Sequence, residues 1–373
     1  MNPNELRASI PALEEVVYLN TGASAPLPRP VAEAVQSCVT EQGYRAPTEE
    51  GMYTYAFEVY DEARRAAAGL LGADESEVAL TQSTTDGINR IACASEWEAG
   101  DVIVTTDVEH SAGELPWRRL ADLHGVEVRI VETDRGRLDP DDVADVVDED
   151  VRLVSLSATE WAYGCRLPVE AVTELAHDVG ARVLVDAVQA VGARPVDVES
   201  WGADFVAAAG HKWLLGPWGA GFLYVREGAE DWLTPRQIGY RSVEDANTAD
   251  YEYKPGAQRL EVATTNPAPY AGLVEAIERA QADGVDVRME RIAALTGYLK
   301  SRIPDEKLLS PPSFHSGLVT VEVDDPEGTV ECLDEQGVKV RVIPSIDCVR
   351  VSVHAFNTRA DLDRFVEGAG LTA

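Results

Sequence analysis

The chain has 373 residues, 45% of them hydrophobic, which is enough for a large folded domain with a smaller one beside it and excludes both a lone small module and a disordered acidic chain. Its 65 acidic residues against 32 basic ones give a formal net charge of −33, and so anionic a surface repels phosphate backbones and lipid headgroups, which excludes nucleic acid and membranes as predicted partners. Because salt screens the self-repulsion while the carboxylates keep the surface hydrated, we interpret the charge as an adaptation to a halophilic cytoplasm.

The chain begins with MNPNELRASIPALEE, which lacks a basic region followed by an apolar run. No later stretch reaches the roughly 18 consecutive apolar residues of a membrane-spanning helix. The five cysteines are scattered and never spaced as CxxC, so neither a disulfide framework nor a zinc site is indicated. We therefore predict a cytoplasmic protein without a bound metal ion.

Short β-branched runs alternate with helical patterns between about residues 78 and 226. The helical segments, such as PVEAVTELAHDVG, have apolar residues at helical spacing and end in glycine. This alternation predicts βαβ units in a mostly parallel sheet of seven strands, covered by helices on both faces. The seven runs are VALTQ, VIVTT, EVRIV, RLVSLSAT, RVLVDAV, FVAAAG and GFLYVR.

The last hundred residues have a different pattern. Turn formers and polar residues fill positions 227 to 265, a long helical pattern spans 271–301, and a second group of short strands and helices follows. We therefore predict a large α/β domain over residues 16–264. A smaller α+β domain is predicted to comprise residues 1–15 and 265–373.

Three segments carry polar residues just after predicted strands, where ligands bind in open parallel sheets. The first, LTQSTTDGIN, places Ser83, Thr84 and Thr85 where a strand leads into a helix. Backbone N–H groups and hydroxyls that converge on a helix N-terminus suit a phosphate group. A plain capping box from Ser83 to Asp86 explains the same residues, and taken alone it is the simpler interpretation.

The second segment, RVLVDAVQAVGARPVDV, ends a buried strand with Asp186, and Gln189 follows three residues later. A carboxylate at the carboxyl end of a strand can pair with a pyridine nitrogen and keep the ring protonated, so that the ring withdraws electrons. An aspartate that merely caps the following turn is about equally compatible with the pattern.

The third segment, GHKWLLGPWGAGFLYV, places Lys212 between a strand end and a glycine-rich stretch. The chain has only five lysines, and this one is flanked by His211 and Trp213, where its amine could lose water and a proton. An ordinary solvated loop lysine is the alternative, since most lysines lie at the surface.

Together these segments resemble the class V aminotransferases, the fold-type I pyridoxal-phosphate enzymes that include cysteine desulfurases, isopenicillin N epimerases and related C–S lyases. The resemblance extends over nearly the whole chain, with seven blocks in the order that the family has. The blocks are YLNTGASAPLP (18–28), TQSTTDGIN (81–89), EHSAGELPW (109–117), DAVQAVGARPVDV (186–198), GHKWLLGPWGAGFLYV (210–225), RLEVATTNP (259–267) and VRVSVHAFNT (349–358).

The resemblance implies pyridoxal 5'-phosphate as the cofactor. It implies that Lys212 forms the Schiff base with this cofactor and that Asp186 pairs with the pyridine nitrogen. Gln189 would donate to or accept from the ring hydroxyl. His110 would stack on the ring face, where a flat conjugated side chain packs well, although a histidine in a surface turn is the plainer alternative.

The resemblance also assigns the two ends of the bound ligands. Thr84, Thr85 and His211 would contact the phosphate, and Thr264 would reach the phosphate of the partner subunit, which implies a homodimer with shared sites. Arg350 would hold the α-carboxylate of an amino-acid substrate, because a guanidinium donates two parallel hydrogen bonds.

The chain departs from the desulfurase pattern at several positions. Desulfurases carry a nucleophilic cysteine on a mobile loop before the carboxylate-binding arginine, whereas only VIPSIDCV separates Arg341 from Arg350 here. Cys348 lies in this short stretch, and we favour a buried structural thiol over a persulfide carrier.

Other departures lie closer to the cofactor. Ala209 stands where desulfurases usually have a hydroxyl, and Glu160 and Trp161 stand near the position of their usual asparagine. Further along, Arg259 and Glu261 could form an ion pair near the site or an ordinary surface pair.

The predicted function is that of an enzyme acting at the Cα of an amino acid through an external aldimine, as an aminotransferase, an epimerase or a C–S lyase. Lys212 and Asp186 are the predicted catalytic residues. A cysteine desulfurase that uses Cys348 and a catalytically silent relative that binds the cofactor remain as alternatives. A nicotinamide-binding protein is disfavoured, because no GxGxxG follows an early strand.

Overall fold

The computed structural model describes residues 2–371, and we label its helices and strands in chain order. The helices are α1 (Pro3–Ala8), α2 (Arg29–Thr40), α3 (Met52–Leu71), α4 (Thr84–Ala94), α5 (Ser111–His124), α6 (Pro140–Ala144), α7 (Val169–Asp178), α8 (Val198–Trp201), α9 (Ala268–Asp283), α10 (Val285–Lys300), α11 (Pro326–Glu335) and α12 (Arg359–Gly368). The strands are β1 (Val17–Tyr18), β2 (Val78–Thr81), β3 (Val102–Thr106), β4 (Glu127–Val131), β5 (Val151–Ser157), β6 (Arg182–Asp186), β7 (Phe205–Ala209), β8 (Gly221–Val225), β9 (Leu318–Val321), β10 (Val338–Lys339), β11 (Arg341–Ile343) and β12 (Cys348–Ser352).

Seven strands form the central sheet in the order β2-β8-β7-β6-β5-β3-β4. Only β8 runs against its two neighbours, and the other adjacent pairs are parallel. Since β2 and β7 are both antiparallel to β8, they point the same way as β6, β5, β3 and β4. The structure confirms the predicted mostly parallel sheet, and its seven strands are the seven β-branched runs of the sequence.

Side chains of the central strands are buried on both faces of the sheet, because helices cover each side. Alternation along β6 shows this: Val183 and Val185 pack into one apolar layer, and Leu184 packs into the layer on the opposite face. Such double burial explains why these strands are continuous apolar runs in the sequence and do not alternate apolar with polar residues.

A second sheet has the order β11-β12-β9 and is antiparallel throughout. Close to it, β1 pairs in parallel with β10, and the N-terminal residue Leu6 shares an apolar cluster with Leu318 and Phe356. Arg7 also pairs with Asp361 at 2.8 Å. The division into domains at residues 16–264 stays a prediction, and its ends at residues 1, 372 and 373 lie outside the described residues.

The helical pattern over 271–301 was expected to form one helix, and this prediction is wrong in detail. The structure has two helices there, α9 and α10, which meet at Gly284. Gly284 has a φ of +79°, a conformation that L side chains rarely adopt and that interrupts a right-handed helix. Within residues 2–371, no helix is both long enough and apolar enough to cross a membrane.

Candidate active site

The carboxyl ends of β2, β3, β5, β6 and β7 lie at one edge of the central sheet, and the predicted site residues follow these strand ends. A cavity opens at this edge. Its lining includes eight of the nine predicted site residues, and Thr264 is the exception. The lining residues are Gly22, Ala23, Ser83, Thr84, Thr85, His110, Ala112, Ser157, Thr159, Trp161, Asp186, Val188, Gln189, His211, Lys212, Arg341 and Arg350.

Lys212 lies in the turn after β7, half-buried, with its side chain at the cavity. The turn is tightly held: a Cβ on Gly192 would lie 2.7 Å from the backbone of both Trp213 and Leu214. Leu215 adopts a φ of +62°, a strained conformation for a leucine. Burial lowers the pKa of the Lys212 ammonium group to about 8, although the charge of Asp186 favours the protonated form.

Asp186 is the last residue of β6 and is buried at the floor of the cavity. One of its carboxylate oxygens accepts a hydrogen bond from the backbone N–H of Val188 at 2.9 Å. Within residues 2–371, the other oxygen has no hydrogen-bond partner. Burial raises the pKa of the Asp186 carboxyl, and the positive charge of Lys212 opposes this shift.

A second buried carboxylate, Glu109, lies beside Asp186. It accepts hydrogen bonds from the Ser157 N–H at 2.8 Å, from the Ser157 hydroxyl at 2.6 Å and from Thr106 Oγ1 at 3.0 Å. Burial raises the pKa of Glu109 to about 7, and the charge of Asp186 raises it further. Glu109 thereby ties the ends of β3 and β5 together, directly before His110.

His110 is the N-cap of α5, where its Nδ1 accepts from the Ala112 N–H at 3.2 Å. Its ring meets the Trp161 ring edge-on, with the centroids 5.1 Å apart. Desolvation at the cavity lowers the pKa of His110 to about 4, and the positive charge of Lys212 adds to this effect. A neutral imidazole fixed in this way offers a flat ring over the cavity.

The start of α4 combines the two functions that the sequence suggested for it. Ser83 is the N-cap and accepts from the Asp86 N–H at 3.1 Å, so the capping interpretation holds for Ser83. Thr84 is not used for capping. Its Oγ1 is buried at the cavity and has no hydrogen-bond partner among the described residues. Thr85 and His211 line the same region.

Arg350 is fully buried in β12, and its Nη1 donates to the Trp161 carbonyl at 2.5 Å. Its Nε and Nη2 have no partner in the part of the chain that the structure describes. Burial lowers the pKa of Arg350 to about 9, the neighbouring Arg341 lowers it further, and Glu160 opposes them. A Cβ on Gly22 would lie 3.1 Å from Arg350 Nη2, so this glycine keeps the backbone close to the guanidinium.

Gln189 is held by two contacts at the edge of the cavity. Its Oε1 accepts from Trp213 Nε1 at 2.7 Å, and its Nε2 donates to the Gly22 carbonyl at 2.9 Å. An amide NH₂ group has two hydrogens, so one remains for a ligand. Gln189 thus links the turn that carries Lys212 to the backbone beside Arg350.

The two departures at positions 160 and 161 have different outcomes. Glu160 turns away from the cavity and accepts from the N–H groups of Ala162, Tyr163 and Cys165, at distances from 2.6 to 3.0 Å. Trp161 lines the cavity. The aromatic ring, and not the carboxylate, therefore occupies the space over the site.

Two other expectations fare differently. Thr264 lies outside the cavity lining, and its hydroxyl is 2.6 Å from the exposed Tyr240 hydroxyl. The suggested ion pair between Arg259 and Glu261 is wrong. Glu261 instead pairs with Arg64 and Arg241, because its buried carboxylate meets these two guanidinium groups first.

Cys348 is buried in β12 and does not line the cavity. Its thiol donates to the Ile346 carbonyl at 3.0 Å, and burial raises its pKa. The short hairpin between β11 and β12 pairs Cys348 with Ile343 and fixes its position. A thiol in this setting forms a thiolate poorly and cannot swing into the cavity while the hairpin is intact.

The cavity fits a molecule with a phosphate at one end and a ring that carries a basic nitrogen, which describes pyridoxal 5'-phosphate. The unpartnered Thr84 hydroxyl and the N-terminus of α4 suit the phosphate. The free oxygen of Asp186 suits a protonated ring nitrogen, and Lys212 offers an amine to the aldehyde. The unpartnered nitrogens of Arg350 leave a place for a carboxylate beside them.

Several site residues were not identified as such from the sequence. Trp161 was noted only as a departure, Glu109 only as part of a block, and Arg341 only as a landmark. The EH pair before α5 is a signal for Glu109, since two polar residues follow a strand end there. No sequence signal announces Arg341, whose place depends on its pairing with Arg350 across the hairpin.

The family model described as Aminotransferase class-V matches residues 17–365. A relative from Methanothermobacter thermautotrophicus, described as a probable cysteine desulfurase, is 33% identical over 97% of this chain and 96% of its own. A solved structure of the cystine C–S lyase C-DES with its reaction product cysteine persulfide has a TM-score of 0.92 and 26% identity, over 98% of this chain and 100% of that one. A C-DES mutant with glycine covalently linked to the PLP cofactor also has a TM-score of 0.92 and 26% identity, over 98% and 99% of the two chains. The chain therefore belongs to the class-V aminotransferase family, whose members are pyridoxal 5'-phosphate-dependent enzymes.

Proposed function

We propose that this chain is a pyridoxal 5'-phosphate-dependent enzyme that acts at the Cα of an amino acid, as an aminotransferase, an epimerase or a C–S lyase. One observation carries the proposal: Lys212, Asp186 and Arg350 come from distant parts of the chain and line one cavity. A phosphate cradle at the start of α4 lies in the same lining. The cofactor's contribution is to withdraw electrons from the Cα of an amino acid bound to it.

The residues of the chain have separate tasks in this proposal. Arg350 binds the α-carboxylate with the two nitrogens that it leaves unpartnered, and so orients the Cα–H bond. Lys212 Nζ, with its lowered pKa, takes the proton from Cα and returns it. Asp186 keeps a proton on the ring nitrogen through its free oxygen. His110 and Trp161 cover the cavity and exclude water.

The final position of the proton separates the reaction types. Return to Cα on the opposite face gives epimerisation, return to the cofactor carbon gives transamination, and loss of a β-substituent gives elimination. C-DES, named as a cystine C–S lyase, covers the whole chain at a TM-score of 0.92, which supports the last of these. A screen that measures keto acid, sulfide and racemised product together decides among them.

A cysteine desulfurase that uses Cys348 as persulfide carrier is the second candidate, because the relative from Methanothermobacter thermautotrophicus carries that description. The buried thiol of Cys348 counts against it. We expect the Cys348→Ser variant to keep any release of sulfide from cysteine. Loss of sulfide release in that variant, with colour and thermal stability preserved, would contradict our preference.

The proposed enzyme acts as a homodimer with shared sites. Thr264 lies outside its own cavity lining and near the exposed Tyr240, which supports a role toward a partner subunit. Sedimentation velocity measures the assembly state. A fully active monomer would contradict this part of the proposal. A silent relative is tested separately, because it would be coloured and yet show no spectral change with any amino acid.

A further inference from the structure

A second cavity opens beside the first and shares part of its wall. His110, Trp161 and Arg341 line both cavities. The second has a volume of about 590 Å³ and also includes Arg135 and Thr133 in its lining. A substrate whose α-carboxylate lies at Arg350 can therefore extend its side chain past Trp161 into this space.

Arg341 and Arg350 lie directly opposite each other on the antiparallel strands β11 and β12. Opposed residues of a ladder project from the same face, and like charges in such a pair are destabilising. Both guanidinium groups also flank the Trp161 ring, with Cζ at 5.8 Å and 5.9 Å from its centroid. The pair thus concentrates positive charge at the boundary between the two cavities, in a protein with a net charge of −33.

Arg341 has no carboxylate partner within residues 2–371, and its Nε donates only to the Val342 carbonyl at 3.3 Å. Arg350 differs, because the charge of the buried Glu160 favours its protonated form. An α-carboxylate on Arg350 would satisfy one of the two opposed cations. The other, Arg341, would still face open space in the second cavity.

The acidic residues around the second cavity do not neutralise Arg341. Asp107 accepts from the N–H and the hydroxyl of Thr133, at 3.1 and 2.8 Å. Glu114 pairs with Arg118 on its own helix, and Glu109 is buried among strand ends. Each of these carboxylates is already engaged, so the uncompensated charge in the cavity is positive.

From this arrangement we infer that the substrate is an α-amino acid with a second acidic group on its side chain, which Arg341 binds in the second cavity. The inference rests on the proposed function, since it places the α-carboxylate on Arg350. Arg341 is then a specificity residue, and the exposed Arg135 adds positive charge at the outer wall. A neutral side chain of the same length would leave Arg341 without a partner.

The test compares acidic amino acids with their amides, which have nearly the same shape. Purified holoenzyme is titrated with L-aspartate, L-asparagine, L-glutamate, L-glutamine and L-alanine, and the change in its visible spectrum gives each Kd. We expect at least one acid to bind about tenfold more tightly than its amide, as loss of a charge-assisted contact predicts. In Arg341→Gln this ratio should fall to about one, and in the control Arg137→Gln, altered in the same outer loop, it should not change.

The possible failures are distinguishable. Equal binding of acids and amides, with spectral changes still present, would overturn the inference and leave the proposed function standing. An Arg341→Gln protein that loses alanine to the same degree as glutamate would also overturn it, because both arginines would then hold the α-carboxylate. No spectral change with any amino acid would contradict the proposed function, and the inference with it.

Discussion

At the scale of single residues, Lys212 and Asp186 oppose each other. Burial lowers the pKa of the Lys212 ammonium group to about 8, whereas the negative charge of Asp186 raises it and the charges of Arg350 and Arg341 lower it. A lysine amine attacks an aldehyde only in its neutral form. The rate at which apoenzyme takes up the cofactor should therefore rise with pH and level off above about pH 8, as measured by stopped-flow absorbance.

The Asp186→Asn variant is the matched comparison for this pH profile. Removing the carboxylate removes the charge that favours protonated Lys212, so the midpoint of the profile should move to lower pH. A wild-type midpoint near 10.4, the ordinary value for lysine, would show that Lys212 is not desolvated. A midpoint that ignores the substitution would show that the two side chains do not interact.

The sequence identified the residues whose chemistry depends on one strand end. Lys212 and Asp186 directly follow buried apolar runs, and their position at the edge of a parallel sheet follows from that alone. Glu109 and Arg341 are different. The setting of Glu109 requires that β3 lies next to β5, and that of Arg341 requires a hairpin register. Local patterns contain neither fact.

At the scale of elements, the N-terminus of α4 provides a sharp test of the phosphate site. Thr84→Val replaces a buried hydroxyl that has no partner among the described residues with a methyl group of similar size. The apoenzyme should keep or slightly raise its melting temperature, because an unsatisfied polar group is removed. The cofactor Kd should rise about tenfold, as expected when a hydrogen bond to a charged group is lost.

Thr105→Val is the control for this prediction. Its hydroxyl is also buried and without a partner in the described part of the chain, but it lies within β3 and does not line the cavity. We expect no change in cofactor Kd for this variant, measured by fluorescence titration of apoenzyme. If Thr84→Val destabilises the apoenzyme and leaves cofactor affinity unaltered, the hydroxyl serves the fold and not the phosphate.

Elements in the last hundred residues were harder to predict than those of the central sheet. The continuous helical pattern over 271–301 hides a break at Gly284, because a glycine within a helical pattern does not reveal whether its φ is positive. The seven strands of the large sheet were clearer, since double burial gives each of them an unbroken apolar run.

At the scale of the whole molecule, the net charge of −33 should make stability depend on salt. The screening length falls from about 10 Å at 0.1 M salt to about 3 Å at 1 M. Repulsion between surface carboxylates should weaken over this range, so the melting temperature should rise by several degrees in a calorimetric series of KCl concentrations. A flat or falling series would contradict the halophilic interpretation, which stays a prediction.

The central claim is that the cofactor binds covalently to the chain through the amine of Lys212. The most direct measurement is borohydride reduction of the yellow holoenzyme, followed by proteolysis and mass spectrometry of the peptides. We predict that the mass of the reduced cofactor is found on the peptide containing Lys212 and that Lys212→Ala protein is neither yellow nor labelled. Label on another lysine, or colour that persists in Lys212→Ala and resists borohydride, would contradict the account.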